Sequence, residues 1–539
     1  MFKKKSKKVI TLLLAAVFAL STPMVAMAQT PNTSNNTPKY VFWIMADGFS
    51  LDLLTAATIY RINQLYGPDE VRDYFFNFME FPVVGLQTTW DAQHFISESA
   101  ATATAMFTGV KTNHGWMAVD PDYNQLTSIA TMLQEQHGFQ IGLVADVNMN
   151  HATQGALYAY SSDRGATFDI AMAALETGFN FFGGSWRPPA RAEEIKEIFR
   201  EHGYTVVYTP EEIFALDNTV GLVHAMSPQQ AVHPREAFMS IPYRLDRSED
   251  DMSTADFMQV AINTMMNDTG FFIMAETGRM DWAGHDNDAV AMIHEVFELA
   301  DMVQVAIDFY RQHPEDTLII VTADHDAGGM TVGVQRETAI SSHQLHLHLL
   351  SYQIVSQANF RFILEDELFF LEEEPTFEAA LELIERYIGL VSPDSPNAEY
   401  VDPLRILTEQ DLADLLHAYT VHHRILLDAA EEGLGGGVTS SRFWSTEERM
   451  RWGTFGSPIG IEATRILAYR AGIVWTTFEH TAGPVPVFAM GAGAEAFGGF
   501  SDNTDMFFRL ADVLNVEHDR TPVRTNRHDF SPIVLEDDK

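Results

Sequence analysis

Ser99 opens an Ala-rich stretch, residues 97–109, whose composition favours a helix. The first backbone N–H groups of a helix have no partner within it, so they favour an anion at that position. A serine there can be activated as an alkoxide, and the group that it attacks can bind the same helix end. The pattern therefore indicates a nucleophile at Ser99, although a serine in this setting more often serves only as an N-cap.

Residues of metal-ligand type follow in two short segments further along the chain. Asp281 and His285 are four residues apart, which places both side chains on one face of a helical turn. Asp324 and His325 are adjacent, and Glu276 stands shortly before Asp281. No Gly-x-Ser-x-Gly elbow surrounds the serine, so a hydrolase triad has no local support, and a divalent cation is the expected activator of the hydroxyl.

The elements that must position these residues alternate between strands and helices. Apolar runs cover residues 40–46, 141–146, 271–276, 317–324 and 485–491, with helical periodicity at residues 290–310. This alternation predicts a doubly wound α/β fold with a mostly parallel sheet and helices on both faces. Ligands in such sheets bind beyond the carboxyl ends of the strands, where Asp47, Glu276 and Asp324 fall, so we expect these carboxylates to converge.

Residues 332–472 depart from the alternation and are rich in acidic helical segments. We interpret them as an inserted subdomain within a domain that spans residues 29–539. Within the insert, His343, His346 and His348 alternate with other residues. This spacing suits a half-exposed strand better than a metal site, so these histidines receive no functional role.

The composition excludes several classes of partner and site. Against 34 lysines and arginines stand 74 acidic residues, a formal charge of −40, so nucleic acid and anionic membranes would be repelled. The chain has no cysteine, which excludes disulfides and thiolate zinc sites and leaves histidine and oxygen donors to bind metals. If the substrate is itself anionic, bound cations must reverse this charge locally.

The first 28 residues are typical of an export signal. Five lysines precede an apolar run at residues 9–20 that is too short to span a bilayer, and small residues end the segment before Gln29. We expect cleavage there and a secreted or periplasmic protein, with an uncleaved N-terminal anchor as the alternative.

Six motifs occur in an order that is known from one family. They are MADG (45–48), ESAATATAMFTGVKT (98–112), HAT (151–153) with Arg164 after it, ETGRMDWAGHDND (276–288), VTADHDAGG (321–329) and FEHTAGPVPVFAMG (478–491). In these motifs the chain resembles the alkaline phosphatase family, and closely the form that bacteria secrete. The match covers most of the chain outside the insert.

The resemblance implies three metal sites and a phosphate-binding arginine. One Zn²⁺ would be held by Asp281, His285 and His480, and a second by Asp47, Asp324 and His325. A Mg²⁺ would take Asp47, Thr153 and Glu276, all oxygen donors of the kind that this ion prefers. Ser99 would face both zinc ions, and Arg164 would bind two phosphoryl oxygens through its guanidinium.

The implied activity is hydrolysis of small-molecule phosphate monoesters through a phosphoserine at Ser99, with release of inorganic phosphate. Two metals would stabilise both apical oxygens of an in-line displacement. Because the family is commonly dimeric, the resemblance also suggests a homodimer.

Three residues depart from the commonest family pattern. Glu98 precedes the nucleophile where aspartate is usual, which affects the contact that orients Arg164. His151 and Trp282 stand where some members have aspartate and lysine, close to the third metal, so the resemblance leaves the identity of that metal open.

Two other functions compete with a phosphomonoesterase. A phosphodiesterase or nucleotide pyrophosphatase of the same superfamily would share the two-zinc core, but Thr153, Glu276 and Arg164 favour monoesters. A non-catalytic protein that binds phosphate or metals would keep the ligands and lose the nucleophile, and Ser99 is present.

Overall fold

Short apolar runs form the central sheet of the protein, as a computed structural model shows. The structure describes residues 37–68, 70–187, 191–225, 241–336, 343–369, 375–432, 443–454 and 456–522. The predicted signal at residues 1–28 therefore lies outside the described residues. Within those ranges no helix is both long enough and apolar enough to cross a membrane.

Among the described residues, ten strands build the main sheet, and four short ones form two small ribbons. The strands are β1 Tyr40–Ala46, β2 Val83–Gln87, β3 Gln140–Ala145, β4 Phe181–Gly183, β5 Thr205–Val207, β6 Val223–Ala225, β7 Phe271–Thr277, β8 Thr317–Thr322, β9 Asp326–Ala327, β10 Met330–Val332, β11 Ile473–Trp475, β12 His480–Thr481, β13 Val485–Gly491 and β14 Gly499–Ser501. The sheet order is β14-β2-β13-β8-β1-β7-β3-β4-β6-β5, and only β13 runs antiparallel to its neighbours. The predicted mostly parallel sheet is confirmed.

Sixteen described α-helices surround the sheet. They are α1 Leu51–Tyr66, α2 Ser99–Thr108, α3 Ile129–His137, α4 Ala152–Gly155, α5 Thr167–Thr177, α6 Ala192–Glu201, α7 Pro210–Phe214, α8 Thr254–Met265, α9 Arg279–His285, α10 Ala289–Tyr310, α11 Gln357–Leu364, α12 Phe377–Tyr387, α13 Glu409–Glu431, α14 Thr446–Trp452, α15 Pro458–Ala471 and α16 Asp505–Leu514.

Side chains along a strand alternate between the two faces of the sheet, so each strand contributes to two cores, and both are buried under helices. In β1, Phe42 and Ile44 belong to a core that α1, α8 and α10 cover, whereas Trp43 and Met45 belong to a second core under α2, α3, α5 and α16. The helices on both faces confirm the doubly wound α/β fold that the alternating pattern predicted.

Three adjacent strands end at the same edge of the sheet. β1 pairs in parallel with β7 on one side and β8 on the other, with Met45 opposite Glu276 and also opposite Thr322. Asp47 directly follows β1, and Asp324 lies two residues beyond the end of β8. The expected convergence of carboxylates at the carboxyl ends is thus a consequence of this register.

The two strands that flank residues 333–472, β10 and β11, pair with each other in an antiparallel ribbon. This ribbon supports our proposal that residues 332–472 form an inserted subdomain. The predicted strand around His346 and His348 is wrong, since Leu347–Tyr352 forms a 3₁₀ helix with Leu347, Leu349 and Leu350 buried.

Candidate active site

Glu98, and not Ser99, caps the helix that carries the predicted nucleophile. The Glu98 carboxylate accepts hydrogen bonds from the backbone N–H groups of Ala100 at 3.0 Å and Ala101 at 2.8 Å. The expectation that unpaired N–H groups here bind phosphoryl oxygens is therefore wrong for these two groups, because the carboxylate already satisfies them. The Ser99 hydroxyl is released from capping and is free to face the site.

Ser99 lies at the junction of the strand ends. Its Oγ is 3.3 Å from Nε2 of His325 and 3.4 Å from Oδ2 of Asp47, and the residue is 1% exposed. The helix start thus places the hydroxyl directly beside side chains of metal-ligand type.

The first cluster comprises Asp281, His285 and His480. Asp281 and His285 lie on α9, which follows β7, and β12 brings in His480 by pairing with β9. Nε2 of His285 is 3.4 Å from Oδ2 of Asp281, and Nε2 of His480 is 3.3 Å from Oδ1. The two Nε2 atoms are 3.2 Å apart.

Backbone carbonyls orient both histidines of the first cluster. Nδ1 of His285 lies 2.5 Å from the carbonyl oxygen of Phe478, and Nδ1 of His480 lies 2.7 Å from that of Ser97. A ring that donates Nδ1–H to a carbonyl presents an unprotonated Nε2 to a metal. The arrangement therefore suits cation binding at Nε2.

The second cluster comprises Asp47, Asp324 and His325. Nε2 of His325 is 3.5 Å from Oδ1 of Asp47 and 3.2 Å from Oδ2 of Asp324, and all three side chains are fully buried. The rings of His325 and His480 stack with centroids 3.6 Å apart, so the first and second clusters adjoin.

The third cluster, Asp47, His151 and Glu276, contains both carboxylates of the predicted magnesium set together with His151, which the sequence placed near that site. These residues offer ligand atoms within 4.8 Å of one another, so the structure adds a nitrogen donor at His151. Thr153 lies in α4 and is buried, and its Oγ1 has no hydrogen-bond partner among the described residues, so it stays available as an oxygen donor. Gln154, which the sequence did not single out, donates a hydrogen bond to Glu276.

The buried carboxylates repel one another. Burial, followed by the charges of Asp324, Asp281 and Glu276, raises the pKa of Asp47 well above its ordinary value. Burial also raises the pKa of Asp324 to about 6, with Asp281 adding to the effect. Divalent cations among these groups would replace this repulsion with attraction.

Arg164 is held between two neighbours at the wall of the site. Its guanidinium Nη1 donates to Oε2 of Glu98, and Nη2 lies 3.3 Å from Nε2 of His151. Although burial opposes ionisation of Glu98, Arg164 and three backbone N–H groups hold its pKa below the ordinary value. Glutamate in place of the usual aspartate therefore still makes the contact with the arginine.

The three residues of the first cluster and His151 of the third line a cavity of about 640 Å³. Four arginines contribute to its lining, namely Arg164, Arg187, Arg279 and Arg361. Trp282 also lines it, and Arg361 and Phe362 belong to the proposed insert. The same lining carries four carboxylates, those of Glu98, Asp281, Asp286 and Glu479, so the arginines balance the acidic charge there, and cations bound in the clusters would make the cavity attractive to an anionic substrate.

Asp91, His94 and His114 received no role from the sequence, but they lie together in the structure, and His114 also lines the cavity. His94 lies three residues after Asp91 and His114 twenty residues after His94, which matches no known metal-binding motif. Only His94, three residues after Asp91, offers a weak local signal.

A mostly parallel sheet whose carboxyl ends carry clustered metal ligands around a serine, beside a cavity to which four arginines contribute, defines a class of phosphate-ester hydrolases. The comparisons agree with this class. A family model described as Alkaline phosphatase matches residues 38–180 and 236–360. Alkaline phosphatase 3 of Bacillus subtilis (strain 168) is 25% identical over 525 residues, 94% of this chain and 96% of that relative.

Solved structures share the fold. The cold-active alkaline phosphatase of the psychrophile Shewanella sp. has a TM-score of 0.68 at 22% identity, covering 88% of this chain and 99% of its own. Alkaline phosphatase of Thermus thermophilus has a TM-score of 0.66 at 23% identity, covering 91% and 96%. The chain belongs to the alkaline phosphatase family and is a phosphoric monoester hydrolase.

Proposed function

We propose that the chain is an exported, metal-dependent phosphomonoesterase that forms a phosphoserine at Ser99. The observation that carries the proposal is the position of the buried Ser99 Oγ, 3.3 Å from His325 Nε2 and 3.4 Å from Asp47 Oδ2. A hydroxyl among such ligands is placed to lose its proton and attack phosphorus.

The donor chemistry of the clusters fits divalent cations. Buried oxygens without a hydrogen-bond partner among the described residues include Asp47 Oδ1, Asp281 Oδ1, Asp324 Oδ2 and Glu276 Oε1. Buried carboxylate oxygens are rarely left unsatisfied, so we assign them to metals. Zn²⁺ would be held by Asp281, His285 and His480 and by Asp47, Asp324 and His325, and would supply a Lewis acid that lowers the pKa of the serine hydroxyl.

The proposed third cation is Mg²⁺, held by Asp47, Thr153 and Glu276. A mutant of the alkaline phosphatase from the Antarctic bacterium TAB5 is described with Mg bound in its M3 site. In this chain the nitrogen of His151 joins the oxygen donors, which makes the site less selective for Mg²⁺.

In the proposed reaction Ser99 is the nucleophile and Arg164 binds the phosphoryl group. Ser99 Oγ gives its proton to water and bonds to phosphorus as the bond from phosphorus to the leaving alkoxide breaks, and the alkoxide takes a proton from water and departs as an alcohol. Arg164, fixed by Glu98, binds two non-bridging oxygens throughout. Water then attacks the phosphoserine, which releases inorganic phosphate and restores the hydroxyl.

Acid-quenched labelling with radioactive phosphate tests the nucleophile. Ser99→Ala should lose the covalent label and keep its metal content, because the hydroxyl is needed for attack and not for the fold. Ser97→Ala is the matched control, since its hydroxyl has no hydrogen-bond partner among the described residues, and it should keep the label. A label that persists in Ser99→Ala would overturn the proposal.

Metal analysis tests the ligand assignment. Chelation should inactivate the enzyme, and Zn²⁺ with Mg²⁺ should restore it. His480→Ala should bind one zinc equivalent fewer than the wild type. An unchanged zinc content in this variant would show that the first cluster is assigned wrongly.

Substrate class and export have separate tests. A monoester has three non-bridging phosphoryl oxygens and a diester only two, so binding of two of them by Arg164 and of a third at the metal clusters would favour a nitrophenyl monoester over the corresponding diester. Faster diester hydrolysis would favour the phosphodiesterase alternative. Export predicts that the protein outside the cell begins at Gln29, which N-terminal sequencing can establish.

A further inference from the structure

A further set of metal-ligand side chains lies outside the three clusters. Asp91, His94 and His114 each offer one ligand atom, and these atoms lie within 4.8 Å of one another. Nδ1 of His94 is 3.4 Å from Oδ1 of Asp91, and Nδ1 of His114 is 3.5 Å from Oδ2. The carboxylate is fully buried, whereas 55% and 53% of the two histidine side chains is exposed.

These separations fit a shared cation better than direct hydrogen bonds. N–H···O bonds are usually about 2.9 Å long. Around a tetrahedral zinc with ligands at about 2.0–2.1 Å, neighbouring ligand atoms lie about 3.3 Å apart. The first cluster shows the same separations, 3.2–3.4 Å, for Asp281, His285 and His480.

The hydrogen bonding of Asp91 supplies a second, independent observation. Its Oδ1 accepts the backbone N–H groups of Gln93 at 2.7 Å and His94 at 2.6 Å. Its Oδ2 is buried and has no hydrogen-bond partner among the described residues. A buried carboxylate oxygen in this state is costly unless a ligand satisfies it.

We propose that Asp91, His94 and His114 bind a fourth divalent transition-metal ion, of the kind that Zn²⁺ represents. Two imidazoles and one carboxylate form a donor set that suits zinc, and oxygen-seeking Mg²⁺ would be disfavoured. The exposed imidazole faces leave the remaining coordination position to water.

The ion would brace the wall of the phosphate site. It joins residues 91–94 to His114, and the next residue, Gly115, donates its N–H to Oε1 of Glu98 at 2.9 Å. The carbonyl of Gly115 also accepts the backbone N–H of Arg164 at 3.2 Å. The site therefore acts as a positioning element for Glu98 and Arg164, a role that rests on the proposed function, whereas metal binding itself does not.

Equilibrium dialysis of the full-length enzyme against fixed micromolar free Zn²⁺, followed by elemental analysis, tests the site. The double variant His94→Gln/His114→Gln should bind one zinc equivalent fewer than the wild type. Asp91 is retained because its carboxylate holds two backbone N–H groups. The matched control is His202→Gln, an exposed histidine at the end of α6, which should bind as much zinc as the wild type.

Combining the double variant with His480→Ala distinguishes the two proposals, and the combined protein should lose two equivalents. If His480→Ala loses no zinc but the double variant still does, the catalytic assignment fails and the fourth site stands. Equal zinc in the double variant and the wild type would overturn the fourth site. So would binding that appears only at millimolar zinc, or an anomalous difference map at the zinc edge with no peak among these three side chains.

Discussion

Glu98→Gln should impair catalysis more than it impairs folding. The Glu98 carboxylate accepts backbone N–H groups from Ala100, Ala101 and Gly115, and it also binds the guanidinium of Arg164. Glutamine keeps one acceptor oxygen and replaces the other with an NH₂ group. In place of Oε2 the NH₂ group, itself a donor, faces the guanidinium of Arg164 and the N–H of Ala100; in the flipped orientation it faces the N–H groups of Ala101 and Gly115, so two hydrogen bonds and the charge that holds Arg164 are lost either way.

The contacts set the expected magnitude. A hydrogen bond to a charged group contributes about 1.5–3 kcal/mol, and an N-cap about 0.5–2 kcal/mol. If the first amount is lost from Arg164 in the transition state, kcat/KM falls roughly 10- to 150-fold. The capping loss should lower the free energy of unfolding by about 1 kcal/mol, because one oxygen can still cap the helix.

The assay is kcat/KM for a nitrophenyl phosphate, with metal content and inhibition by inorganic phosphate measured on the same samples. Glu98→Asp is the control, since it keeps the charge and should stay within a few-fold of the wild type. Phosphate inhibition should weaken in parallel with kcat/KM in Glu98→Gln. If this variant retains full zinc and its kcat/KM lies within twofold of the wild type, Arg164 does not depend on Glu98.

Three further predictions concern stability and metal choice. Although burial opposes its ionisation, Arg247 and Arg244 lower the pKa of Glu298 to about 2, so their contribution is complete above about pH 4.3 and disappears towards pH 2. Arg247→Met should therefore cost about 3 kcal/mol of unfolding free energy at pH 7, against less than about 1 for the exposed Arg311→Met; equal losses would contradict this. The melting temperature with saturating metals should rise between dilute buffer and molar sodium chloride, because the Debye length falls from about 30 Å to about 3 Å around a chain of charge −40; an unchanged value would mean that self-repulsion is unimportant. His151→Asp should bind Mg²⁺ more tightly in calorimetry, since an oxygen replaces nitrogen, and unchanged affinity would remove His151 from the third site.

Local patterns along the chain predict the sheet and most of the proposed site. The length and the apolar composition of each run predict a central strand. The proposed ligands Asp47 and Asp324 lie within two residues of the ends of two of these strands. Asp281 and His285 are within one helical turn, so their approach depends only on α9. Such features are local, and periodicity and spacing report local structure well.

Other features depend on contacts between residues far apart in the chain, for which the order of residues carries no signal. Glu98 caps α2 through neighbouring N–H groups, but it binds Arg164 and the N–H of Gly115 only because these distant segments pack against it. His151 lies in the turn after β3 and joins the third cluster from there. His114 lies close to Asp91 although α2 separates the two residues in the sequence. These pairings follow from the packing of loops over the strand ends, which burial of the two cores on either side of the sheet determines.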